Sequence, residues 1–170
     1  MRLHYIGLAI ACLFTARATA ADAVDVSVKG RIVASPCVFN SGSASVNVNL
    51  GDMQAKNMAT PGSSSSPVPF TLNFTQCPAA TQSVTATFTG TADPTAGTDY
   101  YRNSGTATNI TLGIIESSTG NLKGSGSSIT QNIGDDRTAI MNLQAIAYSA
   151  TGGVTPGTIS VAVIATLEYN

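Results

Sequence analysis

Apolar residues alternate with polar ones over short runs in this chain, and turn-forming residues break the alternation again and again. Residues 45–50 read SVNVNL, residues 83–88 read SVTATF, and residues 68–74 read VPFTLNF with Phe70, Leu72 and Phe74 on one side. Residues 109–115 (NITLGII), 139–148 (AIMNLQAIAY) and 158–169 (TISVAVIATLEY) continue the pattern. A period of two sends successive side chains to opposite faces of a strand, so each run predicts one buried face and one solvated face. Between the runs lie Ser41-Gly42, Pro61-Gly62 with the serine run 63–66, Thr119-Gly120-Asn121, Gly134-Asp135-Asp136 and Thr151-Gly152-Gly153, all turn formers. Thr, Val, Ile, Ser and Gly dominate over the long-chain helix formers. Only residues 52–59 (DMQAKNMA) admit a helical turn. Short strands with regular turns predict an all-β sandwich or barrel. The serine run reads as a flexible loop within one domain, because strands of similar character flank it.

The first residues belong to a different kind of signal. Arg2 and His4 give a basic start, residues 6–14 are apolar, and Ala18-Thr19-Ala20 fits a small-x-small cleavage site. This pattern predicts an export signal over residues 1–20 and a mature start at Ala21 or Asp22. The apolar run is too short for a bilayer span of about 20 residues, so no stable membrane insertion is expected. Cleavage removes His4, the single histidine, and leaves Lys29, Arg31, Lys56, Arg102, Lys123 and Arg137 as the bases. Against nine acids these six bases give a mature net charge of −3. So sparse and acidic a surface argues against nucleic acid, which calls for a basic patch. No Lys/Arg-rich amphipathic stretch points to a membrane surface either.

Catalysis finds little to work with. Without histidine, Ser-His-Asp and Cys-His arrangements and histidine-based zinc sites are excluded. Nothing in the spacing of Lys29, Lys56 or Lys123 singles out a Ser-Lys dyad. Asp135-Asp136 reads as a solvated turn rather than an acid pair facing one substrate. Asp93, Asp99 and Asp135 lack the spacing of a calcium loop. Tyr100-Tyr101-Arg102 reads as the packing feature of an edge strand. Asn73-Phe74-Thr75 and Asn109-Ile110-Thr111 match the glycosylation sequon, both inside predicted strands. Neither an enzyme nor a cofactor is expected.

Cys37 and Cys77 survive removal of the signal, and an even count in an exported chain predicts a disulfide. Closing a loop of about 40 residues is worth on the order of 4 kcal/mol in the chain-entropy model. The mature length suits a single domain with a proper core.

The most regular alternations stand at the two ends of the mature chain. Val24, Val26, Val28 and Ile32 share one face with Gly30, and Asp25, Ser27, Lys29 and Arg31 share the other. Ile159, Val161, Val163, Ala165, Leu167 and Tyr169 form a face near the C-terminus. The opposite face there (Ser160, Ala162, Ile164, Thr166, Glu168) is partly apolar, which points to a central strand. The N-terminal run precedes the cysteine staple. An extended segment outside the staple is free to add to another sheet edge, with main-chain hydrogen bonds giving affinity and alternate side chains giving specificity.

Taken together, VSVKGRIVASPC (26–37), FTQCP (74–78), TATFTGTAD (85–93), SGTATNITLGI (104–114) and GTISVAVIATLEYN (157–170) resemble the chaperone-usher pilins of Gram-negative bacteria, and most of all the minor subunits of type 1-like fimbriae. The ending carries the penultimate Tyr169 and, fourteen positions from the C-terminus, Gly157. The resemblance implies an incomplete immunoglobulin-like β-sandwich that lacks its final strand. Residues 21–33 would be the donor-strand extension leading into the first strand, and residues 34–170 the pilin domain. A periplasmic chaperone would lend a strand to the resulting groove and contact the C-terminal strand and its terminal carboxylate. At the outer-membrane usher the extension of the next subunit would replace it, building a fibre of neighbouring pilin subunits.

On that resemblance Val24, Val26, Val28, Gly30 and Ile32 are the donor residues, with Gly30 where the groove walls pinch. Gly157, Ile159, Val161, Val163, Ala165, Leu167 and Tyr169 are the groove and chaperone-recognition strand, and Cys37 and Cys77 staple the first strands. The implied role is structural, as a minor or adaptor subunit exported through the periplasm to a cell-surface fimbria that contributes to cell adhesion. The alternative is a fimbrial tip adhesin or a secreted carbohydrate-binding sandwich. Such adhesins carry an extra receptor domain, for which this chain has no room, and lack a donor extension.

Overall fold

A computed structural model describes residues 27–31 and 35–170. The expected export signal, Val24, Val26 and Ile32 lie outside the described residues. Residues 27–31 hold no regular structure and are exposed, Val28 at 88%. From residue 35 onward the chain belongs to a separate compact unit.

That unit is built from antiparallel strands. In chain order they are β1 (Val38–Phe39), β2 (Ser63–Ser64), β3 (Val68–Thr75), β4 (Ser83–Gly90), β5 (Ala92–Asp93), β6 (Gly97–Arg102), β7 (Thr111–Glu116), β8 (Ser128–Asn132), β9 (Ala139–Ser149) and β10 (Val163–Tyr169). One sheet runs β1-β3-β9-β7-β6-β5, with β2 also paired to β9, and the other runs β10-β4-β8. The alternation seen in sequence decides which side chains lie between them. Along β9, Ala139, Met141, Leu143, Ala145 and Ala147 are buried while Ile140 and Asn142 are exposed. Along β4, Val84, Ala86 and Phe88 are buried. Phe74 of β3 sits at the centre, 5.4 Å from the ring of Phe39 and 6.5 Å, edge-on, from that of Tyr169. Each fully buried side chain of this size contributes about 1.5–3 kcal/mol through removal from water.

Polar groups taken into the interior are paired, as burial demands. The Tyr101 hydroxyl donates to the Lys123 carbonyl at 2.8 Å, and burial pushes this phenol up to about 12, so it remains a donor. Ser149 donates to the Asn109 carbonyl at 2.6 Å. Cys37 and Cys77 are bonded, tying the segment before β1 to the exit of β3. Arg137 (φ 61) reinforces that corner, donating to the Cys77 carbonyl at 2.9 Å and the Thr81 carbonyl at 3.0 Å.

The all-β class, the main strands and the helical turn within residues 52–59 (Ala55–Met58, a 3-10 turn) agree with the sequence reading, and a second 3-10 turn, Asn40–Gly42, stands where Ser41-Gly42 reads as a turn. Several details do not. Residues 45–50 form no regular element and pair with no described strand. The ladder of the C-terminal strand begins at Val163 rather than 158, and β10 lies at the edge of its sheet instead of the centre. The serine run is partly ordered, with Ser63 and Ser64 opposite Ser149 and Tyr148. Asn109 precedes β7 in a left-handed conformation (φ 57) and donates to the Gly153 carbonyl, so only Asn73 of the two sequon asparagines lies in a strand. β8 went unforeseen because Ile129 is its single buried residue. Tyr100-Tyr101-Arg102, read as an edge-strand feature, falls in β6 beside the short terminal strand β5; Tyr101 is its single buried residue, and Tyr100 stacks on Tyr148 at 4.4 Å outside the core. Among the described residues no helix is long and apolar enough to cross a membrane.

Candidate functional site

One seam of the sandwich is open. β10 pairs with β4 on one side and with no described strand on the other. Residues 45–50, which line the same groove, likewise belong to no described ladder. Between these two edges runs a groove of about 1470 Å³. It exceeds the range of about 300–1,000 Å³ usual for small-molecule pockets.

The groove is apolar because the alternation of both walls points into it. Val46, Val48 and Leu50 come from one wall, and Ile159, Val161 and Val163 from the other. Phe70, Leu72, Leu112 and Ile114 form the floor. Phe70 and Leu112 face the interior yet stay half-exposed, as expected for a core missing one layer of neighbours. The walls run in opposite directions. Val46 and Leu167 pack at the Phe39 end, while Leu50, Met53, Val154 and Ile159 pack with Met58 and Ile110 at the other. Among the described residues lining the groove, Asp52 is the sole ionisable one.

The C-terminal wall changes partners along its length. Before β10 starts, the Thr158 and Ser160 carbonyls accept from the Ala107 and Ser104 amides at 3.1 and 2.9 Å. Asn103 adds side-chain bonds to the Thr158 carbonyl and the Ser160 amide. Two glycines make this crossing possible. A Cβ on Gly157 would stand 2.4 Å from the Ala107 nitrogen, and one on Gly105 would stand 2.1 Å from the Thr158 oxygen. From Val163 the strand joins β4, and the ladder ends where the Asn170 carbonyl accepts from the Ser83 amide at 3.0 Å.

Of the residues singled out in the sequence, Gly157, Ile159, Val161, Val163, Ala165 and Leu167 all line the groove. Tyr169 does not; its ring packs on Phe74 beneath, and burial raises its phenol. Cys37 and Cys77 anchor the chain just ahead of Phe39. Val28 and Gly30 lie in the exposed stretch 27–31. The sequence reading missed the facing wall and Asp52. The alternation of 45–50 was the available signal, but an unpaired strand and a paired one share it. No group of His, Cys, Asp and Glu that could hold a metal occurs among the described residues.

Two antiparallel sheets packed face to face, with one seam unfilled, define an incomplete immunoglobulin-like sandwich. The chain belongs to the fimbrial protein family, whose model matches residues 26–170. It is 37% identical over 167 residues to Protein FimG of Escherichia coli K12, covering 98% of this chain and 96% of that protein. It is 40% identical over 161 residues to the fimbrial-like protein YdeR of the same strain, covering 93% and 92%. The fold is also that of the P pilus rod subunit PapA, with a TM-score of 0.65 at 19% identity over 80% of this chain and all of that one. The protein is thus a structural subunit of a fimbria, exported through the periplasm to the cell surface.

Proposed function

We propose that the subunit is assembled by strand donation, and that the open groove is where it receives a neighbour. The carrying observation is the pair of edges at 45–50 and β10, running in opposite directions on the two walls of the groove and neither joined there to a described strand, over an apolar floor. An extended strand laid between them would find main-chain partners on both sides and apolar sites below. A periplasmic chaperone would fill the groove first and, at an outer-membrane usher, the extension of the next subunit would follow. Residues 21–33 serve as this chain's own extension once residues 1–20 are removed, and residues 34–170 as the receiving domain. Val24, Val26, Val28 and Ile32 present the apolar row, with Gly30 at the narrow point. Burying four such side chains gains about 1.5–3 kcal/mol each before ordering costs. An exposed apolar edge left empty is an aggregation hazard.

The role is structural rather than catalytic, in keeping with the absence of histidine from residue 5 onward. Its sequence resemblance supports a minor or adaptor subunit. An apolar, strand-shaped groove favours a polypeptide occupant over a sugar.

The test is thermal unfolding of the chain lacking residues 22–31, with and without a synthetic peptide of residues 22–33. The peptide should raise the melting temperature and suppress self-association. If neither changes, strand donation is not what the groove does.

A further inference from the structure

Resting on the strand-donation reading, we infer that Asp52 selects the occupant of the groove by charge. It favours the extension of a neighbouring subunit that carries lysine or arginine in its solvent-facing row, toward the C-terminal end of the donated strand. Asp52 is exposed, so it marks the rim rather than the floor. It adjoins Met53, at the end of the groove where Met58, Ile110, Val154 and Ile159 gather. Among the described residues it takes part in no ion pair, and Lys56 of the neighbouring 3-10 turn is not among the lining residues. Among the described residues nothing else ionisable lines the groove, so from within the lining its field on the occupant is unopposed.

The kind of strand that fits follows from the alternation. A strand that turns its apolar row down into the groove holds its other row at the level of the rim. In residues 24–32 of this chain that other row reads Asp25, Ser27, Lys29, Arg31, acidic first and basic last. Laid antiparallel to β10, such a strand brings its basic end to the Ile159 end of the groove, beside Asp52. Laid the other way, it brings Asp25 there, and like charges repel. One carboxylate therefore discriminates both the direction of the donated strand and its sequence. Charges at an interface rim act mainly on specificity and register.

The test uses the full chain and a fluorescent peptide of residues 22–33, with binding followed by anisotropy. At low salt Asp52→Asn should weaken binding about two- to fivefold, the range of an exposed ion pair, and about 0.5 M salt should erase the difference. A peptide with Lys29→Ser and Arg31→Ser should bind the unaltered chain as weakly as D52N binds the original, and combining both changes should cost no more than either alone. The peptide arm needs no altered protein, so it decides the matter even if D52N folds poorly. Equal binding of both peptides to the unaltered chain overturns the assignment to Asp52 while leaving strand donation standing. No binding of either peptide overturns strand donation itself, and the selection with it.

Discussion

Residues 45–50 and 83–88 make an instructive pair. SVNVNL and SVTATF begin alike and alternate alike, yet the second is buried between two partner strands and the first pairs with no described strand. In β4, Val84, Ala86 and Phe88 are buried, whereas Val46, Val48 and Leu50 are only half-buried on the wall of the groove. The alternation fixes which side chains point inward. It does not say whether a neighbouring backbone will be there to close the ladder. In β4 both neighbours come from within the chain. In 45–50 no described strand closes the ladder, and the inward side chains line an open groove instead of a closed core.

Substitutions should therefore behave differently in the closed and open parts. Phe74→Ala removes the ring on which Phe39 and Tyr169 pack, at a fully buried site. It should cost about 3–5 kcal/mol, equally with and without a donor peptide, in equilibrium urea unfolding. Gly157→Ala should cost about 1–3 kcal/mol, because its methyl would meet the Ala107 backbone at the crossing that holds the C-terminal wall in place. Val48→Ala is the sharper probe of the open part. Without a donor it should cost under about 1 kcal/mol, and with the peptide bound about 1 kcal/mol more, as a half-exposed methyl pair becomes buried. An identical cost in both states would mean that the seam is already closed in solution, and the contrast with β4 would collapse.

How much of this could be read from the sequence differs by element. β3, β4, β7 and β9 were legible because each carries several inward apolar residues at alternate positions. β8 was not, since Ile129 is its lone buried residue and one residue has no period, and β6 was legible only at Tyr100-Tyr101-Arg102, where Tyr101 alone is buried. The C-terminal alternation runs unbroken from Ile159 to Tyr169, so nothing local revealed that the ladder would start at Val163. That break arises from bonds to Ser104 and Ala107, over fifty residues away in sequence. Its apolar outer face, with Ile164 67% exposed, suggested a central strand, and the structure places it at an edge. Gly157 was legible as part of a family ending, and its physical reason, backbone against backbone at Ala107, appears only in three dimensions. The groove itself could be anticipated from the resemblance and not from periodicity, because an absent partner leaves no mark on the residues that lack it.

The smallest effect should come from a charge that does not line the groove. Glu116 at the end of β7 pairs with Lys123 at 2.8 Å and accepts from Ser118 and Thr119 in the turn that follows. The hydrogen bond from Lys123 is the main cause holding its carboxyl below the ordinary value of 4.5. A carboxylate with a lowered value in the folded state binds protons less readily than in the unfolded chain. The stability it contributes is therefore present in full above about 4.5 and is lost as pH falls through the folded value. For a pair at the surface that contribution is under about 1 kcal/mol. Comparing pH 6 with about pH 3, the unaltered chain should lose more unfolding free energy than Glu116→Gln by that margin. Since the pair belongs to the closed sheet, the margin should be the same with the donor peptide bound or absent. A margin that appears only with the peptide would tie this turn to the groove and blur the division between the two parts.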